Sequence, residues 1–196
     1  MTTPTEWMKD EYNDLVSKGF DWKPPVIGGP STGRAIIDGK KRIMLCANNY
    51  LSMSNHPKVK QAAIDAVKSH GAGSGSVRPI AGNMDIHNQL EESIARFKNR
   101  EAALYYQTGF AVNSGLIPQL AGKNDAIISD QLNHGSIIDG VRLSGVKKEN
   151  RTIYAHNDMG ELEDRLKKAT KKCEKTLVIS DGVFSMDGDI APLNQI

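Results

Sequence analysis

Several short segments carry residue types that could act on a bound ligand. Thr108-Gly109-Phe110 stands where an apolar run hands over to a helical pattern. Glycine there lets the backbone approach a ligand, and a helix N-terminus offers unpaired amides and a positive dipole end, a ready phosphate site. The same tripeptide could equally be a plain strand-to-helix turn. His134, in Asp130-Gln131-Leu132-Asn133-His134-Gly135-Ser136, also falls between a strand pattern and a helix pattern. An imidazole so placed could stack on an aromatic ring or donate a hydrogen bond, or be simply structural. Ser185 lies in a stretch from Asp181 to Asp189 that holds three aspartates. Its hydroxyl could donate to a ligand, whereas the bland reading is an acidic turn. A calcium loop is set aside, because no bidentate glutamate follows at the required spacing. Asn48 could donate to a carboxylate, though asparagine also favours turns. Ser76 and Arg78 lie in a glycine-rich run, Gly71–Gly82, that matches neither the P-loop nor the dinucleotide fingerprint.

The elements that must position these residues follow from periodicity. Residues 5–19 read as a polar helix. Asp38-Gly39, flanked by 35–37 and 42–45, predicts a tight hairpin. A helix is expected from Pro57 to just before Gly71, and a loop over Gly71–Gly82. Ile86, Leu90, Ile94 and Phe97 mark one face of a second helix. Beyond residue 100 the pattern alternates. Strands are expected at 102–106, 126–129, 152–155 and 177–179, with helices at 111–120, 136–143 and 159–169. Asp158, with Glu161 three residues on, predicts a capping box for the last helix. Four strands with intervening helices argue for an α/β class with a mostly parallel sheet. Ligands of such sheets bind at the carboxyl ends of the strands, where Thr108, His134 and Ser185 all fall. The expected organisation is an N-terminal helix and small β element over 1–55 and the first part of a larger domain over 56–196.

Composition sets limits on partners. The 196 residues carry 39% hydrophobic and 24% charged side chains and a net charge of +2. That balance gives no case for nucleic acid or an anionic membrane surface. Cys46 and Cys173 make neither a disulfide framework nor a zinc spacing, so free thiols in a reducing compartment are expected, and no metal. Met1–Glu6 is polar, and no apolar run approaches membrane-spanning length. The expectation is a cytoplasmic protein.

An ordered series of motifs adds a resemblance. CANNYL (46–51), NHPKV (55–59), GAGSGSVRPIAG (71–82), H-x-x-LE (87–91), TGFAVN (108–113), SDQLNHGSIIDGVRLS (129–144) and SDGVFSMDGD (180–189) together resemble the α-oxoamine synthases. These are fold-type-I pyridoxal phosphate (PLP) enzymes that condense an amino acid with an acyl-coenzyme A. The resemblance implies an incomplete PLP-binding large domain, with PLP as cofactor and a homodimer as the working form. It implies that Gly109 and Phe110 hold the cofactor phosphate, with Thr108 beside them at a more variable position. By the same token His134 would stack on the pyridine ring as the candidate catalytic group, and Ser185 would meet the ring's 3-hydroxyl. Asn48 would lie near the substrate carboxylate, and the loop with Ser76 and Arg78 would approach the site. CANNYL, SIIDGVRLS and DGVFSMDGDIA look most like the members that join glycine and acetyl-CoA, the glycine C-acetyltransferases. The alternative inside the family is 8-amino-7-oxononanoate synthase, which uses alanine and a pimeloyl thioester. The family's aspartate for the pyridine nitrogen and its Schiff-base lysine are expected beyond Ile196, so this chain alone is expected to be inactive. A non-catalytic family subunit is the reading from another class, and an unrelated nucleotide-binding module is disfavoured by the missing fingerprints.

Overall fold

In the computed structural model, which describes residues 3–196, the chain forms two units, one ending at Met84 and one running from Asp85 to Ile196. The first unit holds helix α1 (Glu6–Ser17), strands β1 (Arg34–Ile37) and β2 (Lys40–Ile43), and helix α2 (Pro57–His70). The strands pair antiparallel, from Arg34 opposite Ile43 to Ile37 opposite Lys40. Asp38 and Gly39 both have positive φ, 48° and 74°, as a two-residue turn of the primed type requires. Helix α2 starts on Pro57, whose missing N–H costs nothing there, and His56 caps it by accepting from the Lys58 amide at 3.2 Å. It ends at Gly71, with φ of 79°.

The glycine-rich run departs from the expected loop at its end. Arg78–Gly82 forms one turn of π-helix, in which the amides of Ile80, Ala81 and Gly82 all donate to the Val77 carbonyl. A Cβ at Gly82 would overlap the Ser76 carbonyl, so this turn closes only on a glycine.

The second unit begins with helix α3 (Asp85–Phe97) and continues through α4 (Gly109–Leu120), β3 (Ala126–Asp130), α5 (Gly135–Leu143), β4 (Arg151–Tyr154), α6 (Met159–Ala169) and β5 (Thr176–Ile179). The strand expected at 102–106 does not form. A strand exists by pairing, and no described strand neighbours that segment; instead the Tyr105 amide donates to Glu91 Oε1 at 2.8 Å. The sheet therefore has three strands, all parallel, in the order β4-β3-β5.

The two crossovers leave and return across the sheet in opposite directions. Right-handed connections then put their helices on opposite faces. The core agrees. Ile117 of α4, Ala121 just past its end and Ile137 of α5 pack with Ile127 on one face. Leu162 and Leu166 of α6 pack with Ile128 and Tyr154 on the other. Every residue of β3 is buried, as a central strand covered on both faces must be. Burying Ile127 and Ile128 contributes about 1.5–3 kcal/mol each.

Candidate active site

The carboxyl ends of the three parallel strands meet at one edge, and the loops that leave them are wired together. Asn133, buried just past β3, reaches across to the loop after β5. Its Nδ2 donates to the Ile179 carbonyl at 2.8 Å and its Oδ1 accepts from the Asp181 amide at 2.7 Å. Asp181 Oδ2 in turn accepts from the His134 amide at 2.7 Å. These bonds fix where His134 and the Ser185 loop stand relative to each other. Both residues line one cavity of about 300 Å3, with Leu132, Gly135, Phe184 and Met186.

The His134 ring is held in one tautomer. Its Nδ1 accepts from the Ser136 amide at 3.1 Å and lies 2.7 Å from Ser136 Oγ. Asn113 Nδ2 donates to that hydroxyl at 2.9 Å, leaving the hydroxyl proton to point at the imidazole. Nδ1 is thus an acceptor, and Nε2–H is the donor the neutral ring offers outward.

The Asn113–Ser136 bond also joins the second turn of α4 to the first turn of α5, so the N-terminal parts of the two helices stand side by side. At the α4 terminus, Thr108 is the N-cap and accepts from the Ala111 amide at 3.0 Å. The amides of Gly109 and Phe110 have no acceptor among the described residues, and a Cβ at Gly109 would meet nothing within 4 Å. Two free amides, a dipole end and open space make a site for an anionic group.

Asn48 and Ser76 lie in the first unit, and both are exposed. The neighbouring Asn49, not Asn48, is the wired asparagine: its Nδ2 donates to the Ser31 carbonyl and to Ser54 Oγ, each at 2.7 Å. Arg78 Nε donates to Asn83 Oδ1 at 2.9 Å.

A second polar cluster at the same strand edge escaped sequence reasoning. His156, two residues past β4, places Nδ1 2.9 Å from Asp130 Oδ1 and Nε2 2.5 Å from Asp189 Oδ2. The hydrogen bonds to Asp130 and then Asp189 raise the imidazole above its ordinary value of 6.5. Burial works to raise the Asp130 carboxyl, yet bonds from His156 and from the amides of Leu132 and Asn157 outweigh it and hold that carboxyl low. Asp189 is held low chiefly by its bond to His156. The only signal in the sequence was a histidine just after a strand end, which is common.

Residues 40–196 match the family model described as aminotransferase class I and II. The chain belongs to that family. It is 49% identical over 191 residues to an 8-amino-7-oxononanoate synthase of Alkaliphilus metalliredigens, covering 97% of this chain and 48% of the relative. A second 8-amino-7-oxononanoate synthase, from Alkaliphilus oremlandii, is 50% identical over 190 residues, covering 97% and 47%. Among solved structures, a serine palmitoyltransferase of S. paucimobilis with bound PLP and myriocin superposes with a TM-score of 0.85 at 31% identity, over 97% of this chain and 48% of that one. The chain spans about half the length of the curated relatives it matches. The fold is the fold-type-I PLP transferase fold. The relatives carry the name given above as the alternative within the α-oxoamine synthases, and a closest likeness to glycine C-acetyltransferase is not what they show.

Proposed function

We propose that the protein to which this chain belongs is a PLP-dependent α-oxoamine synthase that condenses L-alanine with a pimeloyl thioester, releasing carbon dioxide and the thiol. The observation that carries this is the pairing of two 8-amino-7-oxononanoate synthases at 49% and 50% identity with a strand-edge site suited to the cofactor. The fit rests on the two unpartnered amides at the α4 terminus and on the exposed His134 ring beside Ser185. Gly109, Phe110 and the Thr108 hydroxyl would hold the phosphate. His134 would lie against the ring, and Ser185 would donate to its 3-hydroxyl. When bound, PLP supplies an electron sink for charge developing at the amino acid's Cα.

This chain's own contribution is orientation and binding. The Asn113–Ser136–His134 chain keeps His134 Nε2–H as an outward donor, which would meet a substrate oxygen. The helix dipole at Gly109 offsets phosphate charge. Asn48 would take the substrate carboxylate, and the Ser76 loop would approach it. The working form is proposed to be a cytoplasmic homodimer, with 56–196 belonging to its large domain.

Glycine with acetyl-CoA is the second reading, favoured by the SIIDGVRLS and DGVFSMDGDIA segments. The deciding experiment assays the full-length protein, loaded with PLP, on both substrate pairs. The proposal expects thiol release with L-alanine and pimeloyl thioester at far higher kcat/KM than with glycine and acetyl-CoA. The reverse ranking replaces it with the second reading. Thiol release with neither pair, or no visible absorbance of bound PLP, refutes both.

A further inference from the structure

The His156 cluster has no part in the chemistry proposed above, yet it joins the two loops that would touch the cofactor. Asp130 is the last residue of β3, four residues before His134. Asp189 lies four residues after Ser185 on the loop that follows β5. Phe184, next to Ser185 and buried, sets its ring edge-on to His156 with centroids 4.4 Å apart. His156 therefore grips the Ser185 loop on both sides of the serine.

That loop is closed on itself. The Phe184 amide donates to the Asp189 carbonyl at 2.9 Å, Gly188 to Phe184 at 2.8 Å, and Ala191 to Gly182 at 3.2 Å. A closed loop moves as a body, so the few bonds that fasten it to the sheet decide where Ser185 points. Asn157 adds to the fastening: its Nδ2 donates to Asp189 Oδ2 at 2.9 Å and its amide to Asp130 Oδ2 at 3.0 Å.

We propose that His156, by bridging Asp130 and Asp189 and packing on Phe184, is a positioning residue that holds Ser185 in register with His134. This rests on the reading of Ser185 as a cofactor contact. Each ring nitrogen faces a carboxylate, and a neutral imidazole carries only one N–H. The bridge is complete only while His156 is charged. The groups around it agree in sign. From β3 comes Asp130, and from the loop Asp189. Tyr154 of β4 lies next to Asp130. At the start of α6, the N-cap Asp158 is occupied with the Glu161 amide, and Glu161 with the Ala155 amide and Arg165. The Arg165 cation is thereby paired with a carboxylate of its own. His156 is raised above 6.5, so the bridge is intact below that pH and opens as pH rises through the raised value.

The test uses the full-length protein and two readouts. Amide hydrogen exchange of Phe184, Gly188 and Ala191, corrected for intrinsic rate, is followed from about pH 6 to about pH 9. PLP affinity is titrated by absorbance over the same range. In the native protein, loop protection and PLP affinity are expected to fall together on the alkaline side. In His156→Gln, protection should already be down about 10- to 100-fold at the acid end, with the pH step gone. Asp189→Asn, at a partly exposed position, should weaken the step without disturbing the sheet. Unchanged exchange at Ile127 and Ile128 verifies the fold of each variant. Native-like loop protection in both variants overturns the proposal. So does a loosened loop with unchanged PLP affinity. A native protein that binds no PLP overturns the cofactor reading itself, and the positioning role with it.

Discussion

At the scale of single residues, the site depends on which atoms are already spoken for. His134 gives its Nδ1 to the Ser136 amide and hydroxyl, and Ser136 is steadied by Asn113. What remains for a ligand is one flat ring with a donor at Nε2. Stacking of aromatic rings is worth about 0.5–1.5 kcal/mol, so His134→Ala in the full-length protein should weaken PLP binding about 2- to 10-fold. His134→Phe keeps the flat face and should recover most of that affinity while losing the Nε2–H donor, so turnover should stay low. Equal affinities for native and His134→Ala protein, measured by absorbance titration, would remove the ring contact from the proposal. His134 and Ser185 were legible because each follows a strand pattern directly and falls at the carboxyl edge. His156 satisfies the same rule, but its importance comes from Asp130 and Asp189, 26 and 33 residues away in sequence. No local pattern announces a partner at that distance.

At the scale of elements, local chemistry was the reliable guide and pairing the unreliable one. Asp38-Gly39 specifies its turn through backbone conformations few other residues adopt, and Pro57 specifies a helix start. The capping box came half true. Asp158 accepts from the Glu161 amide at 2.8 Å, but Glu161 reaches to the Ala155 amide at 2.7 Å, tying α6 to the end of β4. Residues 102–106 have the composition of a strand and no described neighbour to pair with, a condition composition cannot reveal. The π-turn at Arg78–Gly82 depends on steric room at Gly82, equally invisible in a pattern of glycines. The α4–α5 contact that aligns the two helix termini rests on another glycine. A Cβ at Gly140 would overlap the Asn113 carbonyl and lie 2.9 Å from Ile117 Cδ1. Gly140→Ala should destabilise the protein by about 1–3 kcal/mol, since the helices must part. Gly115→Ala is the contrast: its nearest neighbour would be Tyr106 Cε1 at 3.8 Å, an ordinary contact. There the gain in helix propensity should stabilise by up to about 1 kcal/mol. Denaturant midpoints that move the same way for both would refute the close-approach account.

At the scale of the whole molecule, the strand edge ties stability to pH from two directions. Asp130 and Asp189 are held below the ordinary aspartate value of 3.8, and Glu161 is held below 4.5 chiefly by the Ala155 amide and Arg165. Carboxyls depressed in the folded state add stability above their ordinary values, and that stability is lost as pH falls through the depressed ones. His156 works from the other side. Raised in the folded state, it adds stability in full below 6.5 and loses it as pH rises through the raised value. The window in which all four groups stabilise therefore runs from about 4.5 to about 6.5, on the acid side of neutrality. The urea midpoint should be highest in that window, fall on acidification, and fall again by about pH 8. His156→Gln should flatten the alkaline fall, because the group whose charge is being lost is gone. It should keep only part of the acid fall, since Asp130 and Asp189 then lack the cation that lowers them, while Glu161 keeps its own partners. A native midpoint that holds constant between about pH 6 and about pH 8 would show that folding does not raise the His156 imidazole. The two carboxylates at the strand edge would then hold the imidazolium no better than water does, and the pH step in loop protection would lose its cause.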